Sequence, residues 1–276
     1  MDGPHDPGLW KVRSNHHLLQ LQVTEITDHP PIPIDRQCQV IAYHSAGIWA
    51  FEKSAGILSH PNKEQNHAKK AHSLINAEFD HDLECYKWMD SSNEQQYLHL
   101  CHRLDSPTSG VILGVSTPSL ATTLRQAFAE RKVRKNYYAV VQSKGKFREG
   151  LWKDPLVVQR SQGKLRVAKG RGPLALTSAS IVRQKGGLYG LSLIKLEPKT
   201  GRTHQLRVQC SLRKMPILGD RTYGDFSLNR KIARATKVDR LCLHAGEIEL
   251  QIQTGNETID FFVDSPLPRS FGKLLT

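Results

Sequence analysis

Asp105 stands where a reactive carboxylate could be built. It lies in HRLDSPTSG (102–110), a polar turn flanked by the apolar runs LHLC and GVILGVS. Pro107 cannot donate to a β-ladder, so this segment is expected to be a loop between two strands. Arg103, Ser106, Thr108 and Ser109 surround the aspartate with hydrogen-bond donors. A carboxylate held at the mouth of a sheet among donors is what a covalent, nucleophilic mechanism needs. By residue type alone, Asp105 also suits an N-cap or a turn. Three other residues carry the same two readings. Tyr137 sits in the β-like run YYAVVQ beside a second tyrosine, Tyr138. Arg207 falls on a predicted helix, a setting in which arginines usually face solvent, and His204, just ahead of it, suits ordering a turn better than proton transfer.

The elements that would position these residues follow from composition and period. VIAYHS and IWAFEK, split by Ala46-Gly47, predict a hairpin. A helix is predicted around Ala68–Ala77. A second over Ser119–Arg131 places Leu120, Leu124, Ala127 and Phe128 at helical spacing. The stretch 144–172 reads as a basic, glycine-containing connection. SASIVR and GLYGLSLIKLEP read as strands, and GRTHQLRVQCSLR (201–213) as a turn then a helix with Leu206, Val208 and Leu212 free to pack inward. Residues 214–240 read as loop-rich, and LCLHAGEIELQIQ and TIDFFV as the last two strands. Strands joined mostly by short turns, with few helices between them, indicate an α+β class. Residues 1–36, with prolines at 30, 31 and 33, read as an N-terminal arm, and 37–276 as a single catalytic domain.

Composition narrows the partners. Thirty-nine Lys and Arg against 26 acids give a net charge of +13, which favours a polyanion such as nucleic acid as much as mere solubility. No apolar run approaches a bilayer-spanning length, and MDGPHDPGLWKVRSNHH lacks the order of a secretory signal, so a cytoplasmic protein without membrane contact is expected. Five scattered cysteines form no CxxC pair, and the 13 histidines follow no metal-ligand spacing, so neither a disulfide framework nor a metal site is expected. No GxGxxG or P-loop is present, and no cofactor is expected.

Several blocks together resemble the RluA family of pseudouridine synthases. HRLDSPTSG is similar to the family's HRLDxxTSG loop, and RKNYYAVV (134–141) to its K-x-Y-x-A-x-V element. LEPKTGRTHQLRVQ (196–209) is similar to its TGRxHQLR element, followed in order by PILGD (216–220) and LHA (243–245). EKSAGILSHP (52–61) is a weaker match to NKPxGxxxHP, with Glu52 and Ser54 in place of Asn and Pro, and Gln209 stands where histidine is frequent. The resemblance covers about 42–263. It implies a pseudouridine synthase fold: a mixed, mostly antiparallel sheet with flanking helices and loops around a central RNA-binding cleft.

The resemblance also implies a role for each matched residue. Asp105 would be the nucleophile, attacking either ribose C1′ or uracil C6. Arg207 would pair with it and orient it, and Tyr137 would stack on the uracil and help remove the C5 proton. Arg103 would enter the RNA stack where the target nucleotide has flipped out, and Lys135, Arg202 and His204 would join it in binding substrate. The connection at 144–172 matches in position an RNA-contacting insertion of the family. YGLSLIKLEPKTGRTHQLR and GDFSLNR (224–230) are most similar to the TruC-type group acting on transfer RNA, so tRNA is favoured, with ribosomal RNA as the alternative. No S4-type RNA-binding domain is recognised, and a monomer is expected. Two rivals differ in class. A non-catalytic RNA-binding protein would have lost Asp105, Tyr137 or Arg207. A hydrolase with an aspartate nucleophile would need a companion base, and no HExxH, GxSxG or matched acid pair is present.

Overall fold

The computed structural model describes residues 31–62, 72–142, 147–161, 164–184, 189–255 and 257–275. The predicted hairpin forms as β1 (Gln39–His44) and β2 (Ile48–Lys53). Short strands β3 (Glu78–Asp80), β4 (Cys85–Met89) and β5 (Gln95–Leu100) follow, and β6 (Ser109–Val115) is buried along its whole length. The loop holding Asp105 thus lies between β5 and β6, where the apolar runs predicted it. Helix α1 (Pro118–Ala129) leads into β7 (Arg134–Gln142). Then come β8 (Gly150–Ser161), β9 (Lys164–Gln184), β10 (Leu191–Pro198), α2 (Gln205–Leu212) and α3 (Phe226–Thr236). The described chain closes with β11 (Leu243–Thr254), β12 (Glu257–Asp264) and α4 (Arg269–Leu275).

Among the described residues the strands form one mixed sheet, in the order β3-β4-β5-β6-β11-β7-β10-β9-β8, with β2 also on β6 and β12 on β11. The class is α+β, as the sequence predicts. All the pairings between named strands are antiparallel except β6 with β11, which run parallel at His244↔Ser109 and Ala245↔Gly110. That junction depends on glycine. Gly110 has φ +114°, and a Cβ there would stand 2.1 Å from the Ala245 carbonyl oxygen. The start of β6, just after the Asp105 loop, can therefore lie against β11 only where residue 110 has no side chain.

α1 closes one face with Leu120, Ala121, Leu124 and Ala127, packed with Val111 and Leu113 of β6 and Ile248 and Leu250 of β11. A second cluster joins β7 and β10 to α2 and α4, through Val140, Ile194, Leu206 and Phe271.

Four expectations are corrected. The basic connection at 144–172 is in its described part a long β-hairpin, registered from Gly150↔Ala179 to Ser161↔Lys164. Its base shows period-2 burial, with Trp152, Asp154 and Leu156 inward on β8 and Ala175, Thr177 and Ala179 inward on β9. The predicted helix around Ala68–Ala77 is not seen in its described part: 72–77 is extended, bridging Leu58↔Ser73 and Ile34↔Ile75, while 68–71 lie outside the described residues. The loop-rich 214–240 contains α3, capped by the Asp225 carboxylate at the Leu228 N–H. Leu212, expected inward, is 41% exposed because α2 ends there. Of the N-terminal arm, 1–30 lie outside the described residues; Ile32 and Ile34 pack on the core and Asp35 is buried.

Candidate active site

The Asp105 loop is held from beneath by the block that matched its family pattern least well. Ser59 Oγ donates to the Leu104 carbonyl and accepts from the Leu104 N–H, both at 3.0 Å. Lys53, fully buried, donates to the carbonyls of Ser54, Ile57 and Ser106 at 3.0, 2.7 and 3.1 Å. The Gly56 N–H adds a bond to the Ser106 carbonyl at 2.8 Å. Within the loop the Thr108 N–H donates to the Asp105 carbonyl at 2.9 Å. Lys53 thus ties two loops together through their backbone carbonyls. Glu52 and Ser54, the two departures from the pattern, flank this lysine and leave its contacts intact.

Facing the loop is α2, in which residues 205–210 are all buried. This explains why Arg207 turns inward rather than to solvent. Its Nε donates to Asp220 Oδ2 at 2.8 Å, its Nη2 to Asp220 Oδ1 at 2.9 Å, and its Nη1 to Asp105 Oδ2 at 3.1 Å. Burial alone would lower the arginine's pKa, but the bonds and charges of Asp220, followed by Asp105, outweigh it and raise the pKa. Asp220 is opposed in the same way. Burial would raise its pKa, yet the guanidinium and the N–H groups of Thr222 and Tyr223 hold it below the usual carboxylate range. Among the described residues Asp105 Oδ1 accepts no hydrogen bond, and the Asp105 side chain is 30% exposed. One oxygen is gripped and the other is open.

Strand alternation decides between the adjacent tyrosines. Tyr138 is buried on one face of β7, its hydroxyl donating to Glu247 Oε1 at 2.6 Å. Tyr137 takes the other face and lines the cavity that holds Asp105. Burial first, then the charge of Asp105, push the Tyr137 phenol well above its ordinary pKa, so it keeps its proton.

All seven residues singled out in the sequence line this one cavity of about 660 Å³: Asp105, Tyr137, Arg207, Arg103, Lys135, Arg202 and His204. That volume is in the range of small-molecule sites. Arg131, Lys132, Arg134 and Lys199 also line it, so the opening is strongly basic. Lys135 lies over the Phe128 ring at 5.4 Å, and burial lowers its pKa. Arg103 and Arg202 are exposed. Among the described residues no His/Cys/Asp/Glu cluster has metal-binding geometry.

Two contributors were missed in the sequence. Asp220 was visible only as the last residue of PILGD, and its pairing with Arg207 is a tertiary contact with no local signal. Asn229 supports it, donating to the Asp220 carbonyl at 3.1 Å and accepting from the Gly219 N–H at 2.9 Å. The second is Tyr223, whose ring lies 5.2 Å from the Arg207 guanidinium. Gln209, the other departure, bridges α2 to the hairpin. It accepts from Thr177 Oγ1 at 2.6 Å and donates to Asp154 Oδ2 at 2.8 Å.

Comparison with known proteins identifies the family. Residues 47–212 match the family described as RNA pseudouridylate synthase. Ribosomal large subunit pseudouridine synthase D of Borreliella burgdorferi is 31% identical over 234 residues, 84% of this chain and 66% of that protein. tRNA pseudouridine synthase C of Salmonella typhi is 34% identical over 166 residues, 56% of this chain and 63% of that protein. The enzyme of the same name from Haemophilus ducreyi is 31% identical over 218 residues, 74% and 82% of the two chains. The chain spans just under two thirds of the length of the first two relatives. Human RNA Pseudouridylate Synthase Domain Containing 4 shares the fold, with TM-score 0.57, 23% identity, and 85% and 92% of the two chains covered.

Proposed function

The chain belongs to the RNA pseudouridylate synthase family, and we propose that it isomerises a specific uridine of a structured RNA to pseudouridine, using Asp105 as nucleophile. The observation that carries this reading is the half-engaged carboxylate. Arg207 fixes Asp105 Oδ2 at 3.1 Å, Oδ1 accepts no hydrogen bond among the described residues, and the aspartate lines a basic cavity. A carboxylate oriented by a charge-assisted bond, with one oxygen free, is equipped to form a covalent bond to the nucleoside.

In this reading the target uridine leaves its stack and enters the cavity. The cost of flipping, a few kcal/mol, is recovered through base and phosphate contacts. Asp105 bonds to the nucleoside, the N1–C1′ bond breaks, the base turns, C5 joins C1′, and the bond to Asp105 breaks to give back the free carboxylate. The C5 proton is lost and N1 gains one, so the product has the composition of the substrate. Tyr137, which keeps its hydroxyl proton, stacks on the uracil and assists at C5. Arg103, Lys135 and Arg202 bind the RNA around the opening, and residues 37–276 form the catalytic domain. The substrate proposed is tRNA, in keeping with the tRNA enzymes among the relatives.

The test is to incubate purified protein with unmodified transfer and ribosomal RNA transcripts and map pseudouridine at single-nucleotide resolution. A new pseudouridine in tRNA is the expected result. Modification of ribosomal RNA alone would replace the substrate, and modification of neither would overturn the activity.

A further inference from the structure

Both ring nitrogens of His204 are turned towards protein groups. Nδ1 lies 2.8 Å from the Tyr223 hydroxyl, and Nε2 lies 3.8 Å from Asp105 Oδ2. The tyrosine hydroxyl is in turn bound from the far side. It accepts the N–H of Val167, on the β8–β9 hairpin, at 2.8 Å. Val167 is buried with Leu156 and Ala175 of that hairpin against Val208 of α2, and Tyr223 packs on this cluster. A chain of contacts therefore runs from the hairpin backbone, through a phenol and an imidazole, to the open carboxylate.

The donors and acceptors give this chain a direction. The Val167 N–H can only donate, so the phenol oxygen is its acceptor and has its own proton to give to Nδ1. A neutral His204 then carries its proton on Nε2, the nitrogen facing Asp105. The opposite tautomer would aim a lone pair at the carboxylate. Two further contacts make the pair rigid: the Tyr223 ring meets the His204 ring edge-on at 5.6 Å, and the Tyr223 N–H donates to Asp220 Oδ1 at 3.0 Å. The strained backbone of His204, with φ +52°, places the ring where helix α2 begins.

We infer that Tyr223 and His204 are positioning residues for Asp105, anchored on the β8–β9 hairpin, and that they steady the same oxygen, Oδ2, that Arg207 binds. The role rests on the proposed function, since it concerns the orientation of that nucleophile. Burial lowers the His204 pKa against the opposing charge of Asp105, in keeping with a neutral ring.

The experiment combines nitrogen-15 NMR of His204 in the intact protein with single-turnover and steady-state kinetics of Tyr223→Phe, His204→Gln and His204→Leu. The expected spectrum is that of a neutral ring protonated on Nε2, changed in Tyr223→Phe. That variant keeps the ring and loses the hydroxyl. Its kcat should fall about tenfold, the worth of one ordinary hydrogen bond, with KM for the RNA unchanged. His204→Gln, which retains an N–H near Nε2, should keep more activity than His204→Leu. A ring protonated on Nδ1, an unchanged kcat in Tyr223→Phe, or equal loss in the two His204 variants would overturn the inference. Wild-type protein that modifies no RNA would defeat the functional reading, and the tautomer would then decide the relay by itself.

Discussion

Asp220 takes two of the guanidinium nitrogens of Arg207, at 2.8 and 2.9 Å, and leaves the third to reach Asp105. The bidentate grip sets the plane of the guanidinium, and that plane determines where the remaining N–H points. Asp220 is therefore the fixed end of the ion pair and Asp105 its accessible end, with side chains 1% and 30% exposed.

Replacing Asp220 by alanine should cost more stability than replacing Asp105. It would leave a buried guanidinium without its main counter-charge, a loss of about 3–5 kcal/mol for a broken buried pair. Asp105→Ala removes a half-exposed partner and should cost about 1 kcal/mol or less. Urea denaturation of the two variants checks the order. Equal midpoints would mean that Asp220 does not anchor the arginine.

Asp105→Asn keeps the shape of the side chain and removes its charge. Under the proposed function it should lower turnover by more than about a thousandfold, as loss of a nucleophile does, while RNA affinity is retained. Pseudouridine formation and filter binding on the same preparation separate the two effects. Turnover near the wild-type rate would refute the nucleophile role.

Much of this site could be read from local sequence, because its signals are local. Pro107 and the flanking apolar runs marked the Asp105 loop, and the period of Leu120, Leu124 and Ala127 marked α1. The tyrosine choice needed only the alternation of a strand once β7 was placed. The Asp105–Arg207 pairing, between residues 102 apart in sequence, was expected only through the family resemblance. Asp220 stood only as the end of PILGD, with nothing to show its partner, and Tyr223 gave no signal at all, since an ion pair and a phenol bridge depend on which elements the fold brings together. The β8–β9 hairpin was hidden for another reason. Its outer part exposes Val158, Gln159 and Arg160 in sequence, so the period-2 pattern that marks a half-buried strand is lost there. Helix α3 was hidden because it buries only Leu228 and Ile232, too narrow a stripe to stand out among its polar residues.

RNA binding should weaken steeply with salt, because the rim of the cavity carries arginines and lysines that displace phosphate counterions. Arg202 is exposed on that rim, and among the described residues its side chain makes no ion pair. Arg202→Gln should therefore lower the slope of log affinity against log salt by about 0.7–0.9, the share of one phosphate contact. Fluorescence anisotropy over a salt series measures it. An unchanged slope would place Arg202 outside the RNA path.

The junction that holds the Asp105 loop to β11 should set part of the acid sensitivity of the fold. His244 is fully buried, its Nδ1 2.8 Å from Ser109 Oγ and its Nε2 near both Ser265 oxygens. Ser109 already accepts from Arg240 at 2.6 Å, so its proton goes to His244 and the neutral ring is favoured. Burial, and then the charge of Arg240 against the opposing Ser265 carbonyl, bring the pKa from 6.5 down to about 4. The unfolded chain takes up this proton first as pH falls. The contribution is thus intact above about 6.5 and is lost progressively down to about 4, at about 1.4 kcal/mol per pH unit. By pH 5 the loss should be about 2 kcal/mol. His244→Gln, which does not titrate, should show a shallower fall in urea midpoint between pH 7 and pH 5. If the variant and the wild type lose stability in parallel over that range, His244 carries no charge-dependent part of it.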